Sequence, residues 1–478
     1  MARETDDLEL RERPEGEEDL EDLALEENYE LNPDYVPMVV DALDRGDAER
    51  LRELLGALHP ADIADLMGFL NAEDREELIP HLDAEVLGEV LAELDTEIRE
   101  DILEHLPPAI LAKALGEMES DDAADVVDDL EEDKKAQVLA AMPVEERAAI
   151  ETTLAYEDET AGRLMQREVV AAPQFWTVGQ AIDHLRRESE ALPELFFDIY
   201  VVDPAYKPVG AVPTSHLLRT KRDAPLAQIM EPVTEIPVDM DQEEVAYIFN
   251  KYRLISAPVV EAGGRLVGQI TVDDIVGVIQ EESEEDILAL AGVSDAGRDA
   301  TTFGIVRSRL LWLVLNLATE AVAVGAIAVY QDEIAKITAL AVLMPIVSSV
   351  GGNAGTQTLA VAVRALAQRE LNASNAARII WRELGAGIIN GVIVALSMGA
   401  AVTLIYHQNW GFALRLALTV GLALVANIFT AAVGGILVPL TLERTGRDPA
   451  VSSSIFITFL TDFMGFFAVL AIAALILL

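Results

Sequence analysis

The chain has 478 residues and is strongly acidic, with 83 Asp and Glu residues against 34 Lys and Arg and a formal net charge of −49. It has no cysteine and only six histidines, which excludes disulfides and thiolate metal sites and argues against an imidazole-rich zinc site. Such a charge repels nucleic acid, so no nucleic-acid partner is expected, and it attracts cations; adaptation to a salty environment would give the same bias.

The charge is unevenly distributed along the chain. Before Thr301 lie 75 of the acidic and 24 of the basic residues, so this part carries −51 and the remainder carries +2. The sequence therefore predicts an acidic soluble half followed by a membrane half. Residues 1–30 lack the apolar core of a secretory signal, so we expect a cytoplasmic N-terminus. Residues 1–33, charged and poor in aromatics, are predicted to form a flexible acidic tail.

Residues 34–160 are predicted to form an acidic, superhelical N domain. From His59 to Leu154 the sequence repeats in blocks of twelve residues, each ending in Leu or Met and most opening with Asp, Glu, Asn or Pro. Apolar residues three to four positions apart, preceded by a capping residue, are typical of short amphipathic helices. Helices of two turns cannot bury an apolar face alone, so we expect them to stack on one another.

One of these blocks, ESDDAADVVDDL, carries five aspartates. Asp121 and Asp125 stand one turn apart, with Asp122, Asp128 and Asp129 nearby, and like charges at this spacing repel. A scaffold helix with a solvated acidic face would explain the block. A divalent cation or an opposing basic surface would relieve the repulsion, so a regulatory role stays open beside the scaffold role.

Residues 161–274 contain an internal duplication. Segments 196–202 and 208–212 are echoed by segments 256–260 and 266–270, with β-branched runs on either side of Asp, Gly and Pro turns. Each copy is predicted as helix, strand, turn, strand and helix. The duplication resembles a tandem CBS pair of α+β fold, and this resemblance implies a regulatory module that senses ions or nucleotides, which makes ATP a possible ligand.

Residues 275–305 are predicted to form a connecting helix, or plug helix, that leads to the membrane half. Apolar residues fit one face of this helix, whereas positions 281–286 supply five negative charges. A solvated linker helix would explain this pattern. Its place between a sensor module and the membrane makes a gating lever the other interpretation.

Residues 306–478 are predicted to form a transmembrane domain of five helices. Apolar stretches at 310–330, 337–363, 385–406, 412–440 and 452–478 are long enough to cross the hydrocarbon core. Arginines cluster before the first stretch, between the second and third, and between the fourth and fifth, so this side is expected to be cytoplasmic. The sequence predicts a multi-pass protein of the plasma (inner) membrane, in contact with lipid, with an extracytoplasmic C-terminus.

Two features within these stretches indicate a pathway for ions. Pro345 and the glycines that follow it are predicted to break the helix, and a broken backbone at membrane depth is tolerated only beside protein or water. Two carboxylates, Glu320 and Asp462, fall within apolar stretches, where ionisable groups are costly and usually functional. For Glu320, a tether between two helices is an equally good explanation.

The motif P-x-x-x-S-x-G-G-N-x-G-x-Q, which occupies residues 345–357, completes a resemblance that covers almost the whole chain after residue 33. The acidic helical repeat, CBS pair, charged connecting helix and five spans resemble the MgtE family of magnesium channels. The resemblance implies a homodimer with one central pore that opens when cytoplasmic Mg²⁺ is scarce. It implies that Asp462 and Asn353 are pore residues, and we expect Gly351, Gly352 and Thr458 to join them around a hydrated ion.

The resemblance further implies sites in the soluble half where Mg²⁺ regulates transport. The matching acids of the N domain, the end of the CBS pair and the connecting helix are Asp121, Asp125, Asp274, Glu282, Glu285 and Asp286. One departure stands in the second CBS copy, where Asn250 and Lys251 replace an acid that the family can have there, so the pattern of bound ions can differ.

The predicted fold class is multidomain and mainly α, and the predicted function is a gated, passive Mg²⁺ channel for import. The first alternative is a Na⁺- or H⁺-coupled transporter of divalent cations, in which Asp462 or Glu320 carries the proton. The second is a receptor whose membrane half only anchors the CBS sensor, but an anchor needs neither the glycine motif nor Asp462. The sequence has no nucleophile and base set and no catalytic metal cluster, so we expect no enzyme.

Overall fold

The structure is a computed structural model that describes residues 20–26, 28–188, 192–193, 195–291, 293, 302–367, 369, 376–445 and 449–477. The chain divides into two compact units, Met1–Val278 and Ile279–Leu478. Most of the described residues are helical, and the strands among them all lie in the first unit. The predicted multidomain, mainly α fold is confirmed.

The first part of unit one consists of short helices. They are α1 (Leu20–Ala24), α2 (Val36–Asp44), α3 (Ala48–Leu55), α4 (Pro60–Phe69), α5 (Ala72–Leu78), α6 (Ala84–Glu93), α7 (Thr96–His105), α8 (Pro108–Leu115), α9 (Ser120–Asp128), α10 (Glu132–Ala141) and α11 (Val144–Thr153), with a 3-10 turn at Ile79–His81 after α5.

These helices begin where the twelve-residue repeat predicts. The opening residue of every block is a helix N-cap, from His59 before α4 to Pro143 before α11. Asn71 and Asp83 each accept a hydrogen bond from a backbone amide of the first turn, which pairs an amide that the helix start would leave unpaired. Helices two apart pack together, as α4 does with α6, α6 with α8, and α8 with α10. Short helices thus bury their apolar faces against neighbours.

Part of the predicted flexible tail is folded. Residues 1–19 lie outside the described residues, but Ala24 and Leu31 are buried in the apolar core of the N domain. The side chain of Asn32 donates a hydrogen bond to the carbonyl of Leu23 over 3.1 Å. The described residues of this segment, from Leu20 onward, are folded because a few apolar side chains reach the helical core. The charged residues around them hide this contact in the sequence.

The second part of unit one contains the predicted duplication. Its elements are α12 (Ala161–Leu164), β1 (Ala171–Pro173), α13 (Val178–Arg187), β2 (Asp198–Val202), β3 (Pro208–Pro213), α14 (Thr214–Arg219), α15 (Leu226–Ile229), β4 (Ile236–Pro237), α16 (Gln242–Tyr252), β5 (Ser256–Val260) and β6 (Leu266–Thr271). In both repeats a short strand, not predicted from the sequence, pairs parallel with the middle strand, which pairs antiparallel with the third. The pairing even shifts at equivalent positions, between Val201 and Val202 and between Val259 and Val260.

Each repeat is completed by a segment that precedes the other. Gln166, ahead of the first repeat, exchanges two backbone hydrogen bonds with Gln269 on β6 of the second, each 2.9 Å long. Glu231, ahead of the second repeat, does the same with Ala211 on β3 of the first, at 2.8 and 3.0 Å. The two repeats therefore form one intertwined module.

Helix α17 (Val272–Leu290) begins in unit one and ends in unit two. Near its start, Ile275 and Val278 are buried in the core of the second repeat. Near its end, Ala289 is buried in a cluster with Leu359 and Ile457 of the membrane helices described next. The predicted connecting helix is helical as far as Leu290, and residues 294–301 lie outside the described residues.

The rest of unit two is helical: α18 (Thr302–Val329), α19 (Gln331–Lys336), α20 (Ala339–Ala367), α21 (Ala376–Ile405), α22 (Trp410–Arg444) and α23 (Pro449–Ile476). Among the described residues, five helices are long and apolar enough to cross a membrane: α18, α20, α21, α22 and α23. The five predicted spans are therefore confirmed. Helix α22 packs on α20, α21 and α23, and α18 packs on α23.

The predicted break in the second span is wrong. Helix α20 is continuous from Ala339 to Ala367 with Pro345 inside it. A proline removes one amide donor, and here it lies within the first two turns of a helix that is packed along most of its length. The glycines stay helical as well, so their carbonyls belong to the helix and do not form the open backbone that we expected around an ion.

The glycines of this motif instead allow helices to approach closely. A Cβ on Gly351 would overlap the side chain of Asn427 on α22, and one on Gly355 would overlap Ile457 on α23. On the facing helix, a Cβ on Gly465 would come within 2.9 Å of the Cα of Ser348. Small residues at such crossings let helix backbones pack in a membrane, where the hydrophobic effect gives no driving force.

Candidate functional site

The candidate pore site lies where three membrane helices meet. Asp462 on α23 accepts a hydrogen bond from the hydroxyl of Ser348 on α20. The carboxyl of Glu320 on α18 lies within hydrogen-bonding reach of the Asp462 carboxyl. Both acids are half-buried. The structure thus brings together the two acids that were predicted to lie deep in the spans, and Ser348 of the glycine motif joins them.

A buried amide borders this group. Asn427 on α22 is fully buried, and its amide donates a hydrogen bond to the carbonyl of Val347 over 2.9 Å. Its side-chain oxygen, however, has no hydrogen-bond partner among the described residues. The amide packs over Gly351 and Gly465, each one turn from Ser348 or Asp462 on the same face of its helix. An unpaired acceptor thus lies beside the carboxyl pair.

Thr458, Gly352 and Gly351, three further predicted pore residues, lie close to the candidate pore site. Thr458, one turn before Asp462, donates its hydroxyl to the carbonyl of Ser454 over 3.0 Å, and Gly352 lies 3.8 Å, measured from an added Cβ, from the hydroxyl of Thr461. Gly352 of α20 therefore lies close to α23, the helix that carries Thr458 and Asp462. Gly351 is occupied by its contact with Asn427, as described above.

Asn353 is not beside Asp462 within one chain. Five residues turn a helix by about 500°, so Asn353 points about 140° away from Ser348. It lines a separate cavity of about 430 Å³ between α20, α21 and α22, whose lining does not include Asp462. The other polar side chains of this cavity are Gln357, Thr358, Glu383 and Asn390.

The soluble half holds a second group of carboxyls, where the N domain meets the CBS pair. Asp121 on α9 is 6% exposed, and one of its oxygens has no hydrogen-bond partner among the described residues. The charges of Asp274, Asp122 and Glu119 act on it. Asp274, at the start of α17, accepts a hydrogen bond from the hydroxyl of Thr271 over 2.7 Å. Two predicted regulatory residues, Asp121 and Asp274, are thus brought together.

This group of carboxyls is buried and crowded, and its pKa values reflect that. Burial first, and then Asp274 and other acids, raise the pKa of Glu119 and of Asp122 to about 7. Burial likewise raises the pKa of Asp274 to about 6, against the hydrogen bond from Thr271 that lowers it. Burial and the same neighbours raise the pKa of Asp121. A cation placed among these groups would favour their charged forms.

The other acids of α9 are neutralised by basic side chains. Arg163 lies 3.5 Å from Asp125 and 2.9 Å from Asp128, and Lys135 lies 2.9 Å from Asp128. Asp125 is therefore paired with an arginine, whereas Asp121 is not. The two ends of this helix therefore differ: basic side chains meet the carboxyls at its second end, and one oxygen of Asp121 near its first end has no hydrogen-bond partner among the described residues.

The contact between α9 and the CBS pair is built from hydrogen bonds around these acids, two of which the carboxyls of Glu168 and Glu119 accept. Ser120 donates its hydroxyl to Glu168 over 2.9 Å and accepts the amide of Arg167 over 2.8 Å. Gln166 donates to Glu119 over 2.7 Å. These hydrogen bonds hold the start of α9 against residues 166–168 of the CBS pair, with the carboxyls near one another.

The other predicted regulatory acids lie beyond this group. Glu282, Glu285 and Asp286 are on the part of α17 that belongs to unit two. In the described parts of the chain, no three His, Asp or Glu side chains are grouped so that they could hold one metal ion. Mg²⁺ usually keeps several waters and takes one or two carboxylates, so the residues fit contact with a hydrated ion.

Sequence reasoning missed several of these residues. Glu119 is the N-cap of its helix and looked like a block opener, and Asn427 is a lone amide in an apolar span. The polar residues Glu383 and Asn390 on α21 were also overlooked. The signal that could have found the last three is the cost of polar side chains inside a membrane helix.

Known protein families match three parts of the chain. A family model described as a divalent cation transporter matches residues 344–472, the MgtE intracellular N domain matches residues 58–159, and a CBS domain matches residues 226–281. The magnesium transporter MgtE of Enterococcus faecalis is 34% identical over 66% of this chain and 69% of its own length. The chain belongs to the MgtE family.

The chain is also similar to other MgtE proteins. The magnesium transporter MgtE of Thermus thermophilus is 33% identical over 69% of this chain and 73% of its own. A crystal structure of the cytosolic domain of the Mg²⁺ channel MgtE in complex with ATP is 34% identical to the chain, matches 51% of this chain and 99% of that one, and has a TM-score of 0.49. The matched CBS domain corresponds to the second repeat, and the sheet topology above identifies the first as its duplicate. As an MgtE protein with five spans, the chain is a multi-pass membrane protein.

Proposed function

We propose that the chain transports Mg²⁺ into the cell through the site at Asp462, as a channel that cytoplasmic Mg²⁺ closes. The observation that carries this proposal is the meeting of Asp462, Ser348 and Glu320 at membrane depth. Two carboxyls that touch within the spans carry a large cost unless a cation or a proton lies between them. Membership of a family of divalent cation transporters supports the cation.

The chemistry of these groups suits a hydrated divalent ion. Mg²⁺ prefers oxygen ligands and sheds water reluctantly, and Asp462, Glu320, Ser348 and Asn427 together offer carboxylate, hydroxyl and amide oxygens. A pathway must bind its ion strongly enough to admit it and weakly enough to release it. Few direct ligands and retained water meet both needs. Thr458 and Gly352, close to Asp462 on the same side of α23 and α20, would line the path next to this site.

We propose that closure begins at the acids between the N domain and the CBS pair. Without Mg²⁺, Asp121, Asp122, Glu119 and Asp274 repel one another; with Mg²⁺, this contact is stabilised. Asp274 lies at the start of α17, the end of which packs against Leu359 and Ile457 of two membrane helices. A helix that begins in the CBS pair and ends in the membrane unit is suited to transmit the effect of Mg²⁺ binding to the membrane helices. Asp125, Glu282, Glu285 and Asp286 remain proposed regulatory residues of the same switch.

Three further features complete the proposal. The chain acts as a homodimer, in which Asn353 of two copies can approach a central pathway that one chain does not form. The arginine-rich side of the spans is cytoplasmic, so the C-terminus is extracytoplasmic. The CBS pair binds ATP in addition to Mg²⁺. The boundary at residue 160 separates the N domain from the CBS pair, whereas cuts at residues 33, 274 and 305 would divide, respectively, the segment that is folded from Leu20 onward, helix α17 and helix α18.

A second candidate is a coupled exchanger, favoured by the same contact between Glu320 and Asp462. Two carboxyls at this distance can share a proton, which a cation could replace. Such an exchanger would need an opposing Na⁺ or H⁺ gradient, whereas a channel needs only the gradient of Mg²⁺.

The test is Mg²⁺ flux into proteoliposomes, measured with an internal indicator while Mg²⁺ on the face of the soluble half is stepped from micromolar to millimolar. We expect flux without any opposing gradient, closing as Mg²⁺ rises, and lost in Asp462→Asn. Glu443→Gln, which changes an exposed carboxylate at the end of α22, serves as the matched control. Flux that survives Asp462→Asn would refute the pore site, and flux only with an opposing H⁺ or Na⁺ gradient would favour the exchanger.

A further inference from the structure

Arg163 joins the CBS pair to the N domain through a guanidinium that is nearly buried. It lies on α12 at the start of the CBS pair, and its side chain is 10% exposed. The amide of Ala161 donates to the carbonyl of Met240 in the second repeat over 2.7 Å. The amide of Gly162 donates to the carbonyl of Val238 over 2.8 Å. The backbone next to Arg163 is therefore fixed to the CBS pair, and the arginine stays there if the N domain moves.

Three carboxylates of the N domain surround this guanidinium. Its Nη2 lies 2.9 Å from Asp128, and its Nε lies 3.5 Å from Asp125 and 3.8 Å from Asp158. Asp125 and Asp128 lie at the second end of α9, and Asp158 follows α11. A guanidinium that loses its hydration is costly unless carboxylates lie close enough to compensate. Docking of the N domain therefore supplies the negative charge that the buried arginine requires.

The two ends of α9 meet the CBS pair with opposite electrostatics. Near the first end, the charges of Asp122 on α9 and of Asp274 on the CBS pair act on Asp121, so ionised acids oppose the contact. At the second end, the guanidinium of Arg163 attracts the acids of α9 whether or not an ion is bound. Water screens this attraction in part, because Asp128 is 44% exposed. We therefore expect a factor of about ten in the closing equilibrium and not the roughly thousandfold effect of a fully buried pair.

We propose that Arg163 acts as a built-in cation, which holds the second end of α9 on the CBS pair when Mg²⁺ is scarce and thereby sets the Mg²⁺ concentration at which the contact closes. This inference rests on the proposed closure by Mg²⁺ and adds the residue that adjusts its threshold. The arginine supplies part of the closing free energy at every Mg²⁺ concentration, so bound ions need to supply less. Loss of the guanidinium should raise the required concentration and leave the acids around Asp121 unchanged.

The test measures the distance between the N domain and the CBS pair in the full-length protein. The chain has no cysteine, so Ala140→Cys on α10 and Ser215→Cys on α14, both at exposed positions, provide two unique sites for nitroxide labels. Pulsed EPR then gives the fraction of molecules with the short, closed distance at each Mg²⁺ concentration. Labelled protein is diluted with unlabelled protein so that distances within one chain dominate.

In Mg²⁺-free buffer we expect part of the parent protein to keep the closed distance and Arg163→Gln to lose it. The Mg²⁺ concentration for half-closure should rise about tenfold in Arg163→Gln, whereas Arg163→Lys, which keeps the charge, should stay close to the parent. Arg222→Gln is the matched control, because Arg222 pairs at 2.6 Å with Asp183 inside the same CBS repeat. Its closure should match that of the parent.

Asp128→Asn tests the same pair from the side of the N domain. Alone it should raise the Mg²⁺ concentration for half-closure, which keeps the test usable if Arg163→Gln does not fold, and in its background Arg163→Gln should have a smaller effect than in the parent. An unchanged midpoint in Arg163→Gln, or an equal shift in both backgrounds, would overturn the inference. A distance that does not respond to Mg²⁺ in the parent would instead refute the proposed closure, and the Mg²⁺-free distances would still decide the role of Arg163.

Discussion

The carboxyl of Glu320 faces the carboxyl of Asp462 across the contact between α18 and α23. Asp462 is in addition bound by the hydroxyl of Ser348, so its carboxyl has a fixed position. Glu320 comes from the first span and contributes a second negative charge to a site that the sequence centred on Asp462 alone. With two carboxyls, the proposed pore site attracts a divalent cation more strongly than Asp462 alone would.

We expect Glu320→Gln to weaken the apparent affinity for Mg²⁺ more than the maximal flux. Removing one of two charges lowers the attraction for a divalent cation, and the half-saturating Mg²⁺ concentration should increase about tenfold. Concentration series of Mg²⁺ flux in proteoliposomes would measure both quantities. Glu443→Gln should behave as the parent. An unchanged half-saturating concentration in Glu320→Gln would support the alternative that Glu320 only tethers α18 to α23.

Gly351→Ala is expected to destabilise the membrane unit. The added Cβ would overlap the side chain of Asn427, and overpacking of this kind costs about 1–3 kcal/mol. The thermal unfolding midpoint in detergent would fall. Gly325→Ala is the matched control, because a Cβ at Gly325 meets nothing within 4 Å, and alanine is the better helix former. If the overlap is the cause, Asn427→Ala should restore most of the stability lost in Gly351→Ala; equal losses in both backgrounds would contradict this account.

The contact between α9 and the CBS pair should weaken as the pH rises. Burial and neighbouring acids raise the pKa of Glu119 and Asp122 to about 7, whereas carboxyls in the unfolded chain titrate near 4. Between about pH 4 and pH 7 the folded state therefore binds more protons than the unfolded state, and its stability falls as the pH increases through this window. In Mg²⁺-free buffer, amide hydrogen exchange of residues 120–128, corrected for intrinsic rates, should accelerate. Exchange that slows with rising pH would contradict the assignment.

Mg²⁺ should reverse that weakening at alkaline pH and have little effect at acidic pH, where protons already neutralise the carboxyls. In Asp121→Asn we expect the difference in hydrogen exchange between Mg²⁺-free and Mg²⁺-saturated protein to shrink, because a charge that the ion would neutralise is gone. Asp128→Asn provides the comparison on the same helix: Asp128 is paired with Lys135 and Arg163, so its loss should weaken α9 without reducing the Mg²⁺ effect. A full Mg²⁺ effect in Asp121→Asn would refute the cation site.

Sequence patterns predicted the elements well because those elements depend on local periodicity. The twelve-residue repeat gave the helix starts of α4–α11, and apolar length gave the five spans. The glycine motif was misinterpreted because the same glycines can open a backbone or admit a neighbour, and only the position of Asn427 opposite Gly351 distinguishes the two. Similarly, the separation of Asn353 from Asp462 follows from the rotation of α20 against its neighbours, which no linear spacing records.

The acids of α9 make the same point. Asp121 and Asp125 look equivalent in the sequence, one turn apart, but Arg163 from the following domain reaches Asp125, and no ion pair forms at Asp121 among the described residues. Glu320 and Asp462 are 142 residues apart in the numbering, and their contact depends on the packing of α18 on α23. Long-range contacts of this kind decide which predicted residues form a site.

The exchange of segments between the two CBS repeats has a consequence for how the module folds. Gln166 completes the sheet of the second repeat by pairing with Gln269, 103 residues later, whereas Glu231 completes that of the first by pairing with Ala211, only 20 residues earlier. Closure of long loops slows folding, so we expect the second repeat to fold after the first and to be unstable when it is produced without the segment at Gln166.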